Sequence, residues 1–215
     1  MNTTIFCDFD GTIAEQDVFV QAVQQFAPEL TAELLPELYA LRITLKDGVR
    51  RLLESIPSSQ YPAMIEYVKN QPMRSGFVEL LDFLDIQQIP LIIISGGLVD
   101  IVKAVIGTEL TRRVAGIQAI EINCQSEYLQ VNSAWEGETE LIAKVKVIQH
   151  YQVDKPIVIG DSITDFNMAM YAPIVFARDR LATYLDEQHK PYLPWTDFFD
   201  IRDRLKSIIL QSNRK

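Results

Sequence analysis

Short apolar runs, each closed by a polar or glycine-containing stretch, recur along the chain at Thr3–Asp8, Ile89–Ser95, Val114–Ile122, Lys155–Gly160 and Ala172–Phe176. They are brief and rich in Ile and Val, so they read as buried strands rather than helices. Helical spacing of apolar residues separates several of them, near Gly76–Gln87, Leu98–Val105, Gly137–Tyr151 and Ile163–Tyr171. Buried strands alternating with helices predict a mostly parallel α/β sheet covered on both faces. The less regular Glu127–Trp135 is expected to supply an antiparallel hairpin strand.

From Ala14 to Pro72 the strand-like runs vanish. FVQAVQQF, LKDGVRRLLESI and YPAMIEYVKN carry spaced apolar positions that suit helices, and Pro28, Pro36, Pro57 and Pro72 punctuate them. The expected organisation is a sheet domain made of residues 1–13 and 73–215, with a helical domain, 14–72, inserted after the first strand.

Composition narrows the classes. Hydrophobic residues make up 48% and charged residues 23% of 215, ordinary for a globular chain with one sizeable core. No apolar run approaches the ~18 residues of a membrane span. The opening MNTTIFCDFDGT has aspartates where a secretory signal needs its apolar run, so a cytoplasmic setting is expected. Cys7 and Cys124 form no C-x-x-C pair and are expected to be reduced core residues. A net charge of -9 argues against non-specific nucleic-acid binding, because no basic surplus exists to displace counterions. It leaves a small phosphorylated substrate open, provided local cations converge on it. Oligomeric state is not legible.

Candidate chemistry gathers at the strand ends. Asp8 and Asp10, two residues apart, fall on the same side of an extended chain, while Cys7 and Phe9 turn toward packing. Gly11 permits a tight turn, and Thr12 can donate a hydroxyl hydrogen bond to phosphate. Ser95 and the neighbouring amides, Gly96 among them, end one strand, and Asp161 and Asp165 follow another. In open α/β sheets ligands bind at these carboxyl ends. Lys144, on the helix before the Lys155–Gly160 strand, could reach inward. Lys146 points about 200° away on the same helix, so only one of the two can serve. Carboxylate attack on a phosphate monoester requires its oxygens to be neutralised, which explains why a lysine, a hydroxyl and further aspartates accompany the pair.

These residues resemble the haloacid dehalogenase-like hydrolases. DFDGT at Asp8–Thr12 is similar to their first motif, Ser95 to the second, Lys144 to the third and GDSITD at Gly160–Asp165 to the fourth. The resemblance covers essentially the whole chain. It implies a doubly wound, Rossmann-like core with an inserted helical cap, and Mg²⁺-dependent phosphomonoester hydrolysis through an aspartyl-phosphate. It further implies that Asp8 is the nucleophile and that Asp10 protonates the leaving oxygen and then activates water. Asp8, the Asp10 carbonyl and Asp161 would hold the metal, with Asp165 supporting it. Ser95, Gly96 and Lys144 would hold the phosphoryl group, with Thr12 steadying the loop. A phosphotransferase or mutase would share the first step, and a non-enzymatic phosphometabolite-binding protein is the reading from another class.

Two branches share the cap position and size. One is the phosphoserine phosphatase group. The other comprises the methionine-salvage phosphatases of a methylthiopentenyl enol phosphate. Leu45–Ser59, Phe176–Asp179 and Tyr192–Leu205 resemble the salvage branch, whereas the cysteine-free Ser133–Lys144 departs from it. Arg42, Arg50, Arg51, Arg74 and Arg178 are candidate substrate contacts. Phe19, Met64 and Met73 are candidates for an apolar pocket wall. His150 and His189 suggest no site.

Overall fold

The computed structural model describes residues 2–40 and 42–212, the side chains of 211 and 212 excepted. Seven strands form one sheet: β1 (Thr3–Cys7), β2 (Leu91–Leu98), β3 (Gly116–Asn123), β4 (Gln130–Asn132), β5 (Lys155–Gly160), β6 (Ile174–Ala177) and β7 (Leu193–Pro194). Their order is β4-β3-β2-β1-β5-β6-β7, parallel throughout except for the antiparallel β3–β4 pair. β1 lies at the centre, with β2 on one side and β5 on the other. The order reverses there, which opens a crevice at the carboxyl ends of these three strands. Ile5, Phe6 and Cys7 in β1 are fully buried, as a strand covered on both faces requires.

Helices α1 (Val18–Phe26), α2 (Pro28–Tyr39), α3 (Leu45–Leu53) and α4 (Tyr61–Val68) occupy the segment after β1. The chain leaves and re-enters side by side: Ala14 and Met73 form an antiparallel bridge, Glu15 N–H donates to Pro72 and Arg74 N–H to Ile13. Away from that junction, Ser58 N–H donates to Glu127 and Leu129 N–H to Ile56, while Lys46 and Arg50 pair with Glu136.

The remaining helices are α5 (Phe77–Gln87), α6 (Val99–Arg113), α7 (Lys144–His150), α8 (Phe166–Tyr171), α9 (Asp179–Glu187) and α10 (Phe198–Ser212). Three expectations need correction. Pro36 lies inside α2 instead of ending a helix; in the last turn its missing N–H removes one intrahelical bond at most. The helix expected from Gly137 begins only at Lys144, because Gly137 N–H bonds Glu140 and Ala143 N–H bonds Trp135, closing a loop. α6 runs past Val105 to Arg113, broken at Gly107 with φ 77°. No helix among the described residues is long and apolar enough to cross a membrane.

Candidate active site

The loop after β1 turns sharply at Gly11, whose φ of 75° suits glycine, and a Cβ there would overlap the Asp161 carboxylate. Asp8 stands at the carboxyl end of β1, its N–H donating to Ile159 on β5. Lys144, the first residue of α7, donates to Asp8 Oδ1 at 2.5 Å and to Asp165 Oδ1 at 2.6 Å. All three side chains are buried. Burial alone would lower the Lys144 pKa, but Asp165 and Asp8 outweigh it and hold the ammonium charged. Lys146 faces outward and bonds the Glu136 carbonyl.

Asp165 is fully engaged. Its other oxygen accepts from the N–H groups of Asp161 and Ser162 at 3.0 and 3.2 Å, in a capping box that orders the GDSITD turn. Asp161 accepts from the Thr12 hydroxyl at 3.2 Å, so that hydroxyl is turned to the acidic cluster and not left free for a phosphate oxygen. Asp161 is further pinned through its carbonyl, which accepts from Leu181 N–H. One oxygen each from Asp8, Asp161 and Asp165 lie within 4.8 Å of one another.

Asp10 lies on the same loop, two residues after Asp8. Its Oδ1 accepts from Val18 and Phe19 N–H at 2.9 and 3.1 Å, and its Oδ2 accepts from Ser95 Oγ at 3.2 Å. Burial, then the nearby Asp17 charge, raise its pKa to about 7 against the pull of those donors. Asp17, the N-cap of α1, was not singled out from the sequence, although an aspartate before an apolar helix is a recognised start signal. Ser95 lies where β2 loses register with β3 between Ile94 and Leu98, an irregularity that re-aims side chains near sites. Its Oγ also accepts from Gly97 N–H. Gly96 is exposed, with open space beside its Cα.

The arginines do not share one place. Arg42 pairs with Glu37, Arg51 with Glu33, and Arg50 with Glu54 and Glu136. Arg74 donates to the carbonyls of Gly11 and Thr12, Arg178 donates to the Thr196 carbonyl, and both lie over the Trp195 ring. Met64 is fully buried in the core and Met73 joins the bridge to Ala14. Phe19 abuts Gly97, itself beside Asp10 and Ser95.

Clustered carboxylate oxygens are hard ligands that suit Mg²⁺. Burial and the Asp165 charge push Asp161 up to about 7, and burial with Asp165 pushes Asp8 well above the usual range. A divalent cation relieves that crowding of negative charge. The donor set therefore fits magnesium.

A buried aspartate–lysine–aspartate bridge beside an acidic cluster, at the switch point of a doubly wound sheet, defines a phosphoryl-transfer site. The chain belongs to the haloacid dehalogenase-like hydrolase family, whose model matches residues 5–170, and within it is a magnesium-dependent phosphatase of small phosphorylated metabolites. It is 48% identical over 206 residues to a 2-hydroxy-3-keto-5-methylthiopentenyl-1-phosphate phosphatase of Microcystis aeruginosa, covering 95% of this chain and 98% of that one. A phosphatase of the same name from Bacillus cytotoxicus is 32% identical, with 97% and 98% covered. Among solved structures, phosphoserine phosphatase from T. onnurineus superposes with a TM-score of 0.71 at 14% identity, covering 96% of this chain and 95% of that one. At that identity the match concerns the fold.

Proposed function

We propose that the chain hydrolyses 2-hydroxy-3-keto-5-methylthiopentenyl-1-phosphate. The observation that carries the substrate is the 48% identity to the Microcystis phosphatase across nearly the full length of both chains. In this reading residues 14–72 form a cap on a core of 1–13 and 73–215; the antiparallel bridge between Ala14 and Met73 supports that division. The setting is cytoplasmic, which suits the two free cysteines, Cys7 in the core and Cys124, contrary to expectation, exposed.

The mechanism follows from the hydrogen bonds. Lys144 holds Asp8 Oδ1, leaving Oδ2 to attack phosphorus in line with the departing ester oxygen. Asp10 has Oδ1 committed to two amides, so Oδ2 carries the proton that the leaving oxygen takes. Water then gives a proton back to Asp10 and attacks the phosphorus, releasing inorganic phosphate and restoring Asp8. Lys144 and the Gly96 amide bind the phosphoryl oxygens, joined by the Ser95 hydroxyl as it turns from Asp10 Oδ2 once that oxygen carries its proton, while Asp165 orients Lys144 and the Asp161 backbone. Magnesium would be held by Asp8, Asp161 and the Asp10 carbonyl, with Asp165 supporting them, and would supply charge neutralisation at the phosphoryl oxygens.

The test is phosphate release from a panel of monoesters with Mg²⁺: the methylthiopentenyl enol phosphate, phosphoserine and simple sugar phosphates. A clear preference in kcat/KM for the enol phosphate is expected. Preference for phosphoserine would transfer the chain to the sibling branch, and no release from any ester would overturn hydrolysis.

A further inference from the structure

Two consecutive carbonyls in the catalytic loop point the same way. An extended chain alternates them, but the left-handed turn at Gly11 brings the Gly11 and Thr12 oxygens to one side. Like-oriented carbonyl dipoles repel, and here a cation lies against both. Arg74 Nη2 donates to Gly11 O at 2.6 Å and Nε to Thr12 O at 3.0 Å, with a longer contact of 3.5 Å to Glu15 O. The backbone aims the side chain: Arg74 N–H donates to Ile13 O at 2.8 Å, one residue beyond the Ala14–Met73 bridge.

The guanidinium is held in turn. It lies 5.5 Å from the centroid of the Trp195 ring, which is 5% exposed and carries Arg178 at 5.1 Å. On its other side the clamped loop meets the acidic cluster. Thr12 Oγ1 donates to Asp161 Oδ1, and Gly11 packs so closely on the Asp161 carboxylate that no side chain would fit. The Gly11–Thr12 unit is thus pressed between Arg74 and Asp161.

We propose that Arg74, seated on Trp195, is a positioning residue that fixes Gly11 and Thr12 against Asp161 and thereby sets the geometry of the cation site. This rests on the Mg²⁺-dependent reading of that site, and it assigns Arg74 no contact with substrate. A planar two-pronged donor is required, so lysine is not an equivalent replacement.

The test is a Mg²⁺ titration of the full chain without substrate, followed by tryptophan fluorescence and calorimetry, for wild type, Arg74→Met and Arg74→Lys. Arg74→Met should weaken Mg²⁺ binding by about tenfold or more, as loss of groups that orient metal ligands generally does. Arg74→Lys should fall between it and wild type. With saturating Mg²⁺, kcat should drop while KM stays close to wild type. Trp195→Ala should reproduce part of the loss and Trp195→Phe little of it. Wild-type Mg²⁺ affinity in Arg74→Met would overturn the proposal, as would a defect confined to KM, which would make Arg74 a substrate ligand. If Arg74→Met does not fold, Arg74→Lys decides by the same titration. Because the titration contains no substrate, failure to hydrolyse any ester would sink the phosphatase reading without deciding Arg74.

Discussion

At the scale of single residues, Asp8 and Lys144 carry the sharpest expectations. Asp8→Asn should abolish phosphoenzyme formation and lower turnover by several orders of magnitude, because an amide is a poor nucleophile toward phosphorus. Acid-quench trapping of phosphoenzyme, beside steady-state phosphate release, checks both. Asp10→Asn should lower turnover by about a hundredfold or more, the range that positioned proton transfer supplies. Lys144→Met removes the cation shared by two buried carboxylates. Breaking such a bridge costs about 3 kcal/mol or more, to be read from urea unfolding of the metal-free protein near pH 8. At pH 5 the loss should shrink as Asp8, whose pKa burial already raises, takes up a proton. The candidate residues were legible beforehand, since Asp8, Asp10, Ser95 and Asp161 sit in short strings at strand ends and Lys144 on the helix before β5. Where Arg74 points was not, because a lone arginine in a junction carries no periodic or motif signal.

At the scale of elements, the loop from Asp8 to Ala14 and the registers around it decide the site. Gly11→Ala should place a Cβ in a left-handed conformation, costing about 1–2 kcal/mol, and push against Asp161 as well. The variant should therefore lose Mg²⁺ affinity beyond what its unfolding midpoint predicts, measured by calorimetry beside urea denaturation. Elements were unevenly legible. β1 and β5 are buried on both faces and read as unbroken apolar runs, so their limits fall within a residue of the structure. α2, α9 and α10 were not anticipated. In α9, charged and polar residues interrupt a face that buries only Leu181 and Leu185. The stretch before Lys144 is rich in helix formers yet is a loop, since turn hydrogen bonds and the Lys46–Glu136 pair override propensity.

At the scale of the whole molecule, proton and metal binding are linked to stability. Burial and neighbouring carboxylate charge push Asp10 and Asp161 up to about 7 in the folded chain, well above the usual carboxylate range. The metal-free native state therefore binds more protons than the unfolded chain between about pH 4 and 7, and its stability falls as pH rises through that window. Mg²⁺ binds the deprotonated cluster, so its stabilising effect should grow from pH 5 to pH 8. Thermal melts with excess Mg²⁺ and with chelator check this; a shift that is equal at both pH values would contradict it.

The alternation of strands and helices through most of the core, the acid pair, the partner motifs and the family they resemble follow from the sequence itself, because apolar periodicity and strand-end motifs are local properties. Which side chains meet does not. Asp8 and Lys144 are 136 residues apart and join only because β1 and β5 pair at the sheet centre, bringing the N-terminus of α7 over their ends. The arginines show the same limit. Five looked alike as candidate anion ligands; Arg42, Arg50 and Arg51 pair with glutamates, Arg178 with Asp179 and the Thr196 carbonyl, and Arg74 with the carbonyls of Gly11 and Thr12. A charged side chain takes the partner that burial and backbone geometry bring within reach, and that partner is set by distant parts of the chain.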